Sequence, residues 1–240
     1  MSFMGILGIM GNLGTMGIIP FTHHTLFTHH THYSHLSLCS FIFFSYFFPM
    51  EHRFCDIHTH HPSVDRLSPT MAGVHPWDTE RGLTLPDFST ADMVGETGLD
   101  FARNIDRKAQ EELFRKHLAA AEQLQKPVVV LSVKAFEEVM RILADYDLSG
   151  VLIHGFIGSK EQAERAFKKG YFLSFGTRSL RSPRTVEVIR QAPIEQLFLE
   201  SDDDTECDIE ALYRAVAEVR LTTTDELRKA LITNYKRLIR

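Results

Sequence analysis

His58-Thr59-His60 follows directly on the short apolar run Arg53-Phe-Cys-Asp-Ile57. Residues i and i+2 of a strand project from the same face. Two imidazoles at a strand end therefore aim at one point, which is how a divalent ion is gripped. Taken alone, the pair is equally what a solvated strand end or a satisfied core histidine would give. Glu96, His154 and Asp202 each follow an apolar run of their own, so each can converge on that point. The set offers nitrogen and oxygen donors and no thiolate. That suits zinc, manganese or magnesium in a hydrolytic centre rather than a structural staple. A carboxylate such as Glu96 can bridge two ions about 3.5–4 Å apart, and an Asp beside the attacking water, the place assigned to Asp202, can accept its proton.

The elements that must position these residues alternate. Strands are predicted at Phe54–Ile57, Thr70–Val74, Asp92–Val94, Val128–Leu131, Gly150–Ile153, Tyr171–Ser174 and Gln196–Leu199. Between and after them, 3.6-residue periodicity predicts helices at Gln110–Gln125, Ala135–Asp145, Lys160–Lys169, Thr185–Gln191, Ile209–Val219 and Asp225–Leu231. Continuous apolar strands linked by helices mean parallel strands with right-handed crossovers. His58/His60, His75, Glu96, His154 and Asp202 all fall at C-terminal strand ends, where a (β/α) TIM-like barrel builds its site. An open doubly wound sheet is the rival, but it gathers ligands at one switch point. The expected barrel is a shortened one, with about seven strands. Only fifteen positions separate His60 from His75, too few for a loop, a helix and a strand, so the first crossover helix is predicted missing or reduced.

The chain has 240 residues, is 44% apolar and carries a formal charge of −5, which suits one domain and gives no general electrostatic attraction to nucleic acid. Cys39, Cys55 and Cys207 are scattered and odd in number, so no disulfide framework is expected and a reducing cytoplasm is the default location. Residues 1–49 are a different material: Met1 to Met50 contains no Asp, Glu, Lys or Arg, and holds a cluster of histidines before the apolar stretch Leu36–Phe48. That stretch is 13 residues, short of the roughly 20 a membrane-spanning helix needs, and no basic n-region precedes it. The reading is a disordered or non-native leader at 1–49, followed by a hydrolase domain at 50–240.

Asp56-Ile-His-Thr-His60, Gly73-Val-His-Pro76, Gly95-Glu-Thr-Gly-Leu-Asp100, Ile153-His-Gly-Phe156 and Leu199-Glu-Ser-Asp202 stand in an order and spacing that resembles the TatD family of metal-dependent deoxyribonucleases. Gln110-Glu111, Lys126-Pro127, Gly170–Phe175, Thr233-Asn234 and Arg237-Leu238 extend the likeness from about Phe54 to Leu238. The resemblance implies a metal-binding barrel that hydrolyses phosphodiesters, often as a 3′→5′ exonuclease, acting on DNA or a small phosphorylated substrate with no membrane or obligate protein partner. It implies His58, His60, Glu96, His154 and Asp202 as metal ligands, with Glu96 bridging. It also shows a departure. Leu131 stands where the family has a His, which leaves Glu96 and His154 as the protein ligands of the second ion. One ion is expected firmly, and a second weakly or not at all.

Plainer readings exist for each residue. Glu96 alone is a turn acid, and Asp202 alone a cap for the helix near Ile209. Asp203, Asp204 and Asp208 are read as that solvated, capping set. His75 either orders a turn or binds substrate. Trp77 is expected to pack or to wall the site rather than to stack a base, and Lys134, Arg178 and Arg181 are loop cations near the top face, read as solvated with phosphate contact as the alternative. Two other functions share the ligand set: amide or lactone hydrolysis on the same barrel, and a catalytically impaired metal-binding relative.

Overall fold

A computed structural model of the chain describes residues 54–82 and 84–239. The leader expected at 1–49 lies outside the described residues. Among the described residues there are eight strands: β1 (Phe54–Cys55), β2 (Arg66–Leu67), β3 (Met71–Ala72), β4 (Met93–Asp100), β5 (Val128–Val133), β6 (Val151–Ile153), β7 (Phe172–Phe175) and β8 (Leu197–Leu199). The helices are α1 (Arg107–Leu124), α2 (Phe136–Leu143), α3 (Lys160–Lys168), α4 (Pro183–Gln191), α5 (Ile209–Arg220) and α6 (Thr224–Leu238).

β3 to β8 form one parallel sheet in sequence order, and β1 pairs in parallel with β2. The two sheets meet where Ile57 N–H donates to Leu199 O at 3.1 Å and an isolated parallel bridge joins Thr59 to Asp202. The strands thus run around a barrel, and no ladder joins β2 to β3 among the described residues. Val128, Val129 and Val130, Leu152, Leu173 and Leu197 to Leu199 are buried, as β-branched and apolar strands covered by helices must be.

The sequence reading missed one strand. Arg66–Leu67 is a two-residue strand with no apolar run to announce it, and it stands where the first crossover helix is absent. The stretch from β1 to β3 holds no helix; a short 3-10 helix, Pro76–Arg81, comes only after β3. Several helix ends also move. α1 starts three residues early because Asp106 caps it by accepting from Ala109 N–H, and α6 runs on to Leu238 behind a capping box of Thr223 and Glu226.

Candidate metal centre

β1 and β8 extend past their formal ends and lock together. His60 N–H donates to Asp202 O at 2.9 Å, and Asp202 N–H donates to His58 O at 3.0 Å. This exchange puts His58, His60 and Asp202 side by side. Asp202 has φ 55°, a left-handed turn that breaks the strand at the point of convergence. Underneath lies Asp56, fully buried: it accepts from Ser201 N–H at 2.8 Å, Ser201 Oγ at 2.7 Å and Arg66 Nη1 at 3.1 Å. Asp56 therefore ties β1 to the residue next to Asp202. Burial pushes its carboxyl up, against the pull of Ser201 and Arg66.

Glu96 arrives differently from expectation. It does not follow a strand but lies inside β4, which continues to Asp100. Pairing with β5 slips between Val94 and Thr97, so three steps on β4 match two on β5. Such a bulge re-aims a side chain. Gly95 permits it, with φ 133° and a position where a Cβ would meet Val129 O at 2.5 Å.

The donors meet as predicted. His58 Nε2 is 3.5 Å from Glu96 Oε2 and 3.4 Å from Asp202 Oδ1; His60 Nε2 is 3.7 Å and 3.6 Å from the same two oxygens. Donors held 2.0–2.2 Å from a tetrahedral ion lie roughly 3.3–3.6 Å apart, so the spacing fits. His58 Nε2 is buried with no hydrogen-bond partner, and its Nδ1 lies 3.2 Å from Met71 Sδ. A buried polar atom left unpaired amid two carboxylates is what a ligand position looks like without its ion. His58 and His60 both rise above the ordinary imidazole value. Burial and the neighbouring His154 oppose the rise at His58 but are outweighed by Asp202 and Glu96; at His60, Glu96 leads it. Glu96 and Asp202 are held low, because the imidazoles around them overcome burial.

The second carboxylate oxygen of Glu96 faces away from this group. Its Oε1 lies 2.8 Å from His154 Nε2 and 3.2 Å from His75 Nε2. His154 is buried, and its Nδ1 faces the buried Glu200 at 3.8 Å. Burial would lower His154, yet Glu96 and Glu200 lift it well above the usual value. His75 is held by hydrogen bonds on both ring nitrogens. Its Nδ1 accepts from Trp77 N–H at 3.1 Å, capping the 3-10 helix, which leaves the ring proton on Nε2 to be donated to Glu96. His75 is thus a donor toward the site. The turn it orders and the ligand-facing position are both real, so its two sequence readings coexist. Leu131 borders a cavity of about 170 Å3 together with His154 and Asp202, so the leucine does occupy the flank beside His154. A wider cavity of about 470 Å3 opens over His58, His60, His75 and Glu96, on the side where the first crossover helix is absent.

Sequence reasoning missed several supporting residues. Asp56 and Glu200 are buried acids directly after the apolar strands β1 and β8, each two residues from a converging donor, which was the available signal. His117, buried on α1, accepts from Val74 N–H at 2.9 Å and so holds the residue before His75; nothing in its spacing marked it. Of the acids after β8, Asp208 caps α5 as expected, whereas Asp203 pairs with Arg178 at 3.0 Å and Asp204 accepts from Thr177 Oγ1 at 2.9 Å. Trp77 is 43% exposed, donating Nε1–H to Asp100 at 2.8 Å with Arg103 stacked 3.5 Å above its ring.

Comparison with known proteins gives the chain's family and fold. A family profile described as TatD related DNase matches residues 57–240. A TATDN1 homologue of Encephalitozoon cuniculi is 30% identical over 170 residues, which is 68% of this chain and 60% of that protein. The metal-dependent hydrolase YabD of Bacillus subtilis is 28% identical over 70% of this chain and 76% of its own length. The 3'-5' ssDNA/RNA exonuclease TatD of Edwardsiella piscicida is 31% identical, covering 55% of this chain and 56% of that one. Among solved structures, the Escherichia coli TatD homologue YjjV superposes with a TM-score of 0.62 at 24% identity, over 74% of this chain and 78% of that chain. At that identity the superposition speaks for the barrel fold alone. No helix among the described residues is long and apolar enough to cross a membrane.

Proposed function

As this chain belongs to the TatD-related DNase family, we propose that it is a divalent-metal-dependent phosphodiesterase acting on DNA or a small phosphorylated substrate. The observation that carries the reading is the convergence of His58 Nε2, His60 Nε2, Glu96 Oε2 and Asp202 Oδ1 at 3.4–3.7 Å from one another's facing atoms. The first ion position takes these four donors. Zinc, manganese and magnesium all suit nitrogen and oxygen donors, and the imidazole pair favours the first two. When bound, the ion supplies a Lewis acid for a phosphoryl oxygen and acidifies water.

The chain's own groups do the rest. Asp202, half-buried and held in its ionised form, accepts the proton of the attacking water. Glu96 orients the centre, holding the imidazoles of His58 and His60 through one oxygen and those of His154 and His75 through the other. His75, with its proton on Nε2, donates to Glu96 or to a phosphoryl oxygen that displaces it. The second ion position has Glu96 and His154 but Leu131 in place of a third donor, so it holds its ion weakly. One ion per chain is the working state, and a 3′→5′ exonuclease mode and a cytoplasmic location accompany this reading.

The test is a substrate screen with manganese and magnesium, comparing single-stranded DNA, bis(p-nitrophenyl) phosphate, amides and lactones. Hydrolysis of the first two, abolished by EDTA, is the expected result. Turnover confined to amides or lactones would move the assignment to that chemistry, and one bound ion with no turnover would mark an impaired relative.

A further inference from the structure

A cavity of about 510 Å3 lies beyond His154, which forms part of its wall; the reading above leaves the rest of the cavity without a role. Its volume sits within the roughly 300–1,000 Å3 typical of small-molecule sites. Phe101, Phe156 and Ile157 give it an apolar side, and Ile157 is 56% exposed, unusual for so large an apolar side chain. Ser132 and Lys134 give it a polar side. The Ser132 hydroxyl is buried and has no hydrogen-bond partner. Lys134 is exposed at φ 51°, and it has no ion pair or hydrogen bond among the described residues.

Arg107 lies 4.4 Å over the ring of Phe101 in the cavity wall. Arg178 is paired with Asp203, and Arg103 lies flat on Trp77. The two acids at the cavity edge are already neutralised, Glu137 by Arg165 and Glu138 by Arg141. α2 starts at this edge, with Ala135 in its capping position making no side-chain bond and Glu137 and Glu138 in its first turn. An apolar ligand would leave Lys134 unanswered, and a bare phosphate would leave Ile157 and the phenylalanine wall unused. A nucleotide answers both, because it joins a flat apolar ring to an anion.

We infer that this cavity is a second nucleotide subsite, in which a single-stranded nucleic acid lays the base next to the cleaved position against Ile157 and sets that nucleotide's phosphate on Lys134. The inference rests on the phosphodiester reading for its choice of ligand, while its test is a binding measurement that needs no turnover. Fluorescein-labelled hexathymidylate is titrated with the full chain in EDTA, and fluorescence anisotropy is followed over a series of salt concentrations.

Lys134→Ala is expected to weaken binding by roughly five- to tenfold at low salt and to flatten the slope of log affinity against log salt by about 0.7, the loss of one single-strand phosphate contact. Ile157→Asp is expected to weaken binding without flattening that slope, since it removes base contact and not a cation. Lys229→Ala removes the same charge from α6, where Lys229 pairs with Asp225, and is expected to leave the slope as it was. An unchanged affinity and slope in Lys134→Ala, a matching loss in Lys229→Ala, or no binding of the oligonucleotide by the unmutated chain would each overturn the subsite. Binding through Lys134 without any phosphodiester hydrolysis would instead overturn the proposed activity and leave the subsite standing.

Discussion

Restoring an imidazole at Leu131 tests whether one side chain limits the second half of this site. Leu131 borders a cavity of about 170 Å3 in common with His154, and it is only half-buried. An imidazole is not larger than the isobutyl group it replaces, and that open flank gives it room. The overpacking cost of about 1–3 kcal/mol met in closed cores should therefore fall to its lower end. The gain comes from completing a three-donor set with Glu96 Oε1 and His154 Nε2, which already lie 2.8 Å apart. With manganese at a hundred times the new dissociation constant, mass action stabilises the folded chain by about 2.7 kcal/mol. For a domain of this size each kcal/mol moves Tm by roughly 2–4 °C, so the second ion should raise Tm by roughly 5–10 °C. The assay is thermal unfolding of both proteins in EDTA and in manganese, paired with titration calorimetry. The unmutated chain should take up one ion, and Leu131→His two, with the larger manganese-induced shift. Two tightly bound ions in the unmutated chain would refute the reasoning, as would a variant that still binds one.

Two further outcomes follow from the supporting residues. Asp56→Ala removes the buried acceptor shared by Ser201 and Arg66, leaving Arg66 and the Ser201 N–H without it while Ser201 Oγ keeps Thr59 Oγ1; urea unfolding should show a loss of about 3 kcal/mol, with weaker manganese binding as Asp202 loses its anchor. A loss under about 1 kcal/mol would show that Asp56 carries little of the join between β1 and β8. The second concerns pH. In the metal-free chain His58, His60 and His154 all lie above the ordinary imidazole value, so the folded chain keeps protons that the unfolded one releases. That stabilisation is complete below about pH 6.5 and fades as pH rises through the raised folded values. Metal-free Tm should therefore fall from pH 6 to pH 9, and manganese binding at pH 7 should expel protons, seen as a dependence of binding heat on the buffer. A flat Tm together with buffer-independent heats would contradict this account.

The convergence of the candidate donors was legible because its signals are local. His58 and His60 share a strand face by period alone, and each remaining candidate donor sits in a short motif beside an apolar run. Glu96 was found as a residue but misplaced as structure. A bulge between Val94 and Thr97 depends on how two strands pair, and one strand's sequence does not contain its partner's register. β2 escaped for a similar reason: two residues, one of them Arg66, make no pattern, and the strand exists because it pairs with β1. The missing first helix, by contrast, was pure arithmetic on the distance from His60 to His75. Asp56, Glu200 and His117 are partners of partners, so their roles appear only once the contacts are drawn. The start of α1 moved where the cap at Asp106 outweighed the apolar period used to set it.

The central claim is that His58, His60, Glu96 and Asp202 jointly hold the working ion. Crystals grown with manganese and measured for anomalous scattering test it most directly. The account predicts the strongest anomalous peak among His58 Nε2, His60 Nε2, Glu96 Oε2 and Asp202 Oδ1, and a weaker one or none between Glu96 Oε1 and His154. A strongest peak beside His154, with none at the four-residue point, would contradict it.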